Sequence, residues 1–108
     1  MIEKIIKAMI EKNYEALALC FSENCVFYDY CPSLNGRENS YVYGKAGLEI
    51  HFRLQFVTGA LLVAEPVIED ENSATFFGAY GGPYLYARLY IEEYDSSGFV
   101  KKAVVHPN

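Results

Sequence analysis

The second half of the chain constrains the fold most. From Leu61 onward it breaks into four stretches that read as β-strands: "LLVAEPVIED", "ATFFGAYGG", "PYLYARLYIEEY" and "FVKKAVVH". The first pair is joined by "ENS" and the last pair by "DSSG", short connections of acidic residues, Asn, Ser and Gly. Strand-like runs punctuated in this way signal antiparallel hairpins, because these residues take up tight reversals at low cost. Pro66 has no backbone N–H for a ladder, so its strand belongs at an edge or a bulge. A sheet of this kind needs a cover for one face, and the first half of the chain supplies it.

Residues 2–11 carry Ile2, Ile5, Ile6, Met9 and Ile10, the apolar stripe of an amphipathic helix. Asn13 suits both the stop of that helix and the N-cap of the next. "YEALALCF", Tyr14 to Phe21, reads as a second short helix, and residues 22–24 as the break after it. "CVFYDY" is β-rich and reads as a strand. Cys31 to Lys45, with Pro32 and the Asn35-Gly36 pair, reads as a loop with room for a small hairpin. Lys45 to Val57 returns to helical period, with Leu48, His51, Phe52, Gln55 and Phe56 on one face and Gly59 as the stop. No repeat, linker or low-complexity tract interrupts the chain, so residues 1–108 are expected to form a single α+β domain with helices over one face of the sheet.

A content of 52% hydrophobic residues in 108 is ample for a core, and 21% charged residues keep the chain soluble and ordered. The net charge of -5 argues against nucleic acid or an anionic membrane as partner. The basic residues are scattered, apart from Lys101-Lys102. No run approaches the ~20 apolar residues of a membrane span. The opening "MIEKIIKAMIEK" interleaves charges at helical spacing and does not read as a signal peptide, so a cytoplasmic location is the expectation. Cys20, Cys25 and Cys31 form no C-x-x-C pair and read as reduced, buried small hydrophobes, with a reactive thiol at Cys31 as the alternative. The two His lie in different elements without ligand spacing, so neither a metal nor another cofactor is expected. Ten Tyr and seven Phe without any Trp point to a polar-aromatic cavity, a tyrosine-rich interface, or both.

The order of elements and several motifs resemble the nuclear transport factor 2-like superfamily, which includes the ketosteroid isomerases and the SnoaL-like proteins. The family's opening pattern, "A…LF…D/N…V/F…D" followed by a glycine and a helix ending in aromatic residues, is matched here by Ala16, Phe21, Asn24, Val26, Asp29, Gly44, Leu48, Phe52 and Phe56. "YDSSGFVKKAVV" is similar to the family's final hairpin. The resemblance spans nearly the whole chain. It implies a cystatin-like fold: a strongly curved antiparallel sheet wrapped around a cone-shaped cavity, roofed by the N-terminal helices. It also implies a homodimer packed through the outer face of the sheet.

For chemistry the resemblance points first to Asp29. In ketosteroid isomerases the general base lies eight residues after a conserved phenylalanine, the separation of Phe21 and Asp29 here. An apolar wall raises the pKa of such an acid until it can both take and return a proton. Strand alternation places Cys25, Phe27, Asp29 and Cys31 on one face. The isomerase's two donors for a developing oxyanion register at Ile5, which has nothing to donate, and at Tyr90, which has a hydroxyl. Tyr90 shares a strand face with Tyr84, Tyr86, Arg88 and Glu92. If that face looks into the cavity, Arg88 either holds an anionic ligand or pairs with Asp29 and weakens it as a base.

The candidate catalytic residues are therefore Asp29 and Tyr90, and the candidate ligand-binding residues are Phe27, His51, Phe52, Tyr86 and Arg88. His51 reads either as a second acid/base group or as a core-edge histidine bonded to a backbone carbonyl. For Asp29 three roles stay open: proton transfer, ligand binding, and a structural ion pair or loop cap. The leading function is binding of a small, largely apolar molecule, with an isomerase- or dehydratase-type proton transfer by Asp29. The alternative is a non-enzymatic homodimeric binding or adaptor module whose cavity is partly filled by side chains.

Overall fold

The computed structural model describes residues 1–108. Helix α1 (Ile2–Ile10) buries Ile2, Ile5, Ile6 and Met9 of the expected stripe together with Ala8, whereas Ile10, in the last turn, is 42% exposed. It ends in a reversal in which the Lys12 N–H donates to the Met9 carbonyl and the Asn13 N–H to the Ala8 carbonyl. Lys12 takes φ 56° there, a left-handed conformation that usually falls to glycine. Asn13 then caps α2 (Tyr14–Ala18), its Oδ1 accepting from the Ala16 N–H at 3.0 Å.

The chain enters the sheet earlier than its sequence suggests. Strand β1 is Phe21–Asp29, so α2 stops short of Phe21, which is buried and pairs with Val100. A 3₁₀ turn, Pro32–Asn35, leads to β2 (Ser40–Tyr43), which pairs antiparallel with β1, so the loop contributes one strand to a hairpin with β1 instead of holding a hairpin of its own. Helix α3 spans Lys45–Val57, the expected bounds, and buries Leu48, Phe52 and Phe56. Strands β3 (Leu62–Asp70), β4 (Ser73–Ala79), β5 (Tyr84–Tyr94) and β6 (Val100–Pro107) follow as an antiparallel meander.

The six strands lie in the order β2-β1-β6-β5-β4-β3. Strand β3, with Pro66, is at an edge, and its register with β4 shifts between Ala64 and Val67, around Glu65 at φ 49°. The sheet is mixed rather than wholly antiparallel, because β1 runs parallel to β6. The connection through α3 and the meander brings the chain back beside β1 in the same direction, as a crossover must. No helix is long and apolar enough to cross a membrane.

The core lies between the helices and one face of the sheet. Phe21, Phe52, Phe76, Leu48, Leu17 and Leu89 are among its fully buried side chains, each contributing roughly 1.5–3 kcal/mol. On β5 the residues facing this core are Ala87, Leu89 and Ile91, all at most 2% exposed. The opposite face of the sheet has no helix over it.

Candidate functional site

Asp29 ends β1, on the core side of the sheet, and is 5% exposed. Its Oδ1 accepts the backbone N–H of Cys31 at 2.9 Å, turning the chain out of the strand. Burial drives its pKa up to about 6, against smaller lowering effects of the Cys31 N–H and the neighbouring Tyr80 hydroxyl. No cation pairs with it, since none of the ion pairs in the protein involves Asp29. At neutral pH it is thus a mostly ionised acid whose proton-bound form is close in energy.

Asp29 lines a pocket of about 400 Å³ between the end of β1, the 3₁₀ loop, β2, α3 and the end of β4. Four of its eleven lining residues are hydrophobic, Phe52 and Leu61 among them. The polar lining comes from Ser40, His51 and Gln55, with Arg37 and Glu38 exposed at the rim. His51 packs edge-on against Phe52, ring centroids 5.0 Å apart, and burial lowers its pKa, so it is neutral at pH 7. It makes no hydrogen bond to a backbone carbonyl. Phe27 stands behind the pocket, its ring 5.1 Å from that of Phe52.

The structure therefore brings Asp29, His51 and Phe52 together, with Phe27 supporting them. It does not bring Tyr86, Arg88 or Tyr90 to them. The apolar side of β5 is the one that packs against the helices, which turns its tyrosine side outward. Tyr86 stacks on Phe77 with centroids 5.0 Å apart, and Tyr90 is 41% exposed. Arg88 pairs with Glu69, Nε to Oε1 3.2 Å, and donates from Nη2 to the Ser73 hydroxyl at 3.2 Å. The pairing of Asp29 with Arg88 that the sequence left open is not formed. Ile5, the other register position, is core.

Tyr80 is the residue that sequence reasoning missed. It follows β4 in "GAYGGP" and is 5% exposed, with its hydroxyl buried beside Asp29 and Cys31. The available signal was a lone tyrosine between glycines at the end of an otherwise apolar strand. The glycines matter: a Cβ on Gly78 would lie 2.8 Å from the Tyr80 ring and 3.0 Å from that of Phe76. Cβ atoms on Gly81 and Gly82 would run into the side chains of Arg37 and Asn35. All three cysteines are free and buried, and burial pushes the Cys31 thiol up to about 12, which makes it a poor nucleophile. No three His, Cys, Asp or Glu side chains converge on a point that could hold a metal ion.

No family model and no curated protein matches the sequence. Solved structures do match in fold. A SnoaL-like protein of unknown function from Burkholderia thailandensis is 13% identical, with 98% of this chain and 90% of that one covered at a TM-score of 0.64. An uncharacterised protein with a cystatin-like fold from Silicibacter pomeroyi is 10% identical, covering 99% and 72% at a TM-score of 0.70. A hypothetical protein with a ketosteroid isomerase-like fold from Catenulispora acidiphila, in complex with trimethylamine, is 9% identical, covering 96% and 82% at a TM-score of 0.65. At such identities the likeness is one of fold. The chain has a cystatin-like α+β fold, shared with these SnoaL-like and ketosteroid isomerase-like structures.

Proposed function

We propose that this chain binds a small molecule with a largely apolar body in the pocket beside Asp29, and that Asp29 moves a proton on it in an isomerase- or dehydratase-type step. One observation carries the reading: a carboxyl that is 5% exposed and free of any cation lines an accessible pocket, with a pKa raised to about 6. A buried acid kept only for structure is usually neutralised by a cation or by several donors. Asp29 accepts one backbone N–H, on Oδ1, which orients the carboxyl. Phe52 and Leu61 accommodate the apolar body of the ligand, and neutral His51 is the second group able to exchange a proton across the pocket.

The test is ligand-dependent thermal stabilisation with cyclic ketones, steroids and aromatic acids, in the wild type and in Asp29→Asn. A probe at a hundredfold excess over its Kd stabilises by about 2.7 kcal/mol. We expect at least one probe to do so in the wild type. For a ketone that binds, exchange of its α-protons in D₂O is expected to be catalysed by the wild type and abolished by Asp29→Asn. Stabilisation by no probe, or exchange that survives the substitution, would contradict the reading.

A second observation favours self-association alongside this activity. The outer face of the sheet presents Tyr41, Tyr43, Tyr84, Tyr86 and Tyr90, each 41–64% exposed. We propose that a second copy of the chain covers it.

A further inference from the structure

One buried polar atom beside the pocket is not used in a fully formed hydrogen bond. The Tyr80 hydroxyl is closed to solvent and meets no partner at full hydrogen-bond geometry, yet it lies near enough to Asp29 to hold that carboxyl's pKa down. Buried hydroxyls seldom stay unpaired without a reason. The titratable groups it faces are Asp29 and Cys31, which sit either side of the turn out of β1. A protonated thiol is a weak acceptor, whereas an ionised carboxylate is a strong one. The position of Tyr80 is also fixed from several sides. Asn35 Nδ2 donates to the Tyr80 carbonyl at 3.1 Å, Gly78 makes room for the ring, and Gly81 and Gly82 let the 3₁₀ loop close over the turn.

We infer that Tyr80 is the positioning residue of this site: its hydroxyl donates to the Asp29 carboxylate whenever that group is ionised, and Asn35 and Gly78 set where the hydroxyl lies. The inference rests on the assignment of Asp29 as the working acid and deepens it. Burial alone favours the protonated acid, which cannot act as a base. Tyr80 favours the ionised one, because the bond it offers is stronger to the charge. The balance matters near neutrality. An acid with a pKa of about 6 is roughly nine-tenths ionised at pH 7, and one with a pKa one unit higher only about half. Other charged or titratable side chains around the pocket are His51 from α3 and Arg37 and Glu38 from the loop. The shift of Asp29 itself traces to burial, Cys31 and Tyr80.

The experiment needs no ligand. The Asp29 side-chain carboxyl is followed by ¹³C NMR across pH 3–9 in the wild type, Tyr80→Phe and Asn35→Ala. In Tyr80→Phe the midpoint is expected to rise by about one unit, the scale of a hydrogen bond to a charged group. Asn35→Ala frees the Tyr80 backbone without touching the core and is expected to give a smaller rise, which carries the test should Tyr80→Phe not fold. A midpoint near 6 that neither variant raises overturns the role of Tyr80 and leaves Asp29 standing. A wild-type midpoint at the ordinary carboxylate value overturns both.

Discussion

Asp29 was conspicuous in the sequence because an acid in an aromatic strand needs a reason, and its spacing from Phe21 supplied a candidate one. Its partner was not conspicuous. Tyr80 lies 51 positions further along the chain, and nothing local shows that its hydroxyl ends beside the carboxyl. The loop cap is local, and it was among the roles left open for Asp29. Lys12 and Asn13 show the same division. Asn13 was legible as a cap because capping is a property of adjacent residues. The left-handed φ of 56° at Lys12 was hidden, since lysine gives no sign of it. A residue with a Cβ is strained there by about 1 kcal/mol. Lys12→Gly relieves that strain but adds the chain entropy of glycine, so it is expected to raise stability by at most about 0.5 kcal/mol in a denaturant titration. A loss of stability would show that the reversal is not strained.

Among the elements, α3 and the meander were readable because period, turn residues and Pro66 are all local signals. The orientation of β5 was not. Its alternation separates Leu85, Ala87, Leu89 and Ile91 from Tyr84, Tyr86, Arg88 and Tyr90, but alternation gives two faces without saying which is inside. Guided by a register position, the sequence reading turned the tyrosines inward. Burial of aliphatic surface decides otherwise, since Ala87, Leu89 and Ile91 vanish into the core while Arg88 finds Glu69 outside. The outward tyrosines are then the face on which we propose that a second copy docks. If a second copy covers them, sedimentation at micromolar concentration gives a dimer, and Tyr86→Glu, which puts a charge in the middle of that face, gives a folded monomer. A wild type that sediments as a monomer would leave the face without this partner.

At the scale of the whole molecule, class and covering arrangement were legible, whereas the parallel pairing of β1 with β6 was not. That pairing joins segments about 75 residues apart, and only the closed three-dimensional arrangement creates it. It also sets β1 between β2 and β6, inside the sheet, so that Asp29 is buried by the fold as a whole. The cost is global as well, and it is visible in the dependence of stability on pH. Unfolded, the acid ionises near 3.8; folded, near 6. Between these values the folded state holds a proton that the unfolded state has released, so stability from this group is full below about pH 4 and is lost as pH rises to 6. About two units at roughly 1.4 kcal/mol each make that loss about 3 kcal/mol. The central claim, that Asp29 is a buried acid without a compensating cation, is tested most directly by the unfolding free energy of wild type and Asp29→Asn as a function of pH. The two are expected to agree near pH 4 and to separate up to pH 6, with the variant about 3 kcal/mol the more stable above it. Parallel curves, or a variant that is the less stable at pH 7, would contradict the account.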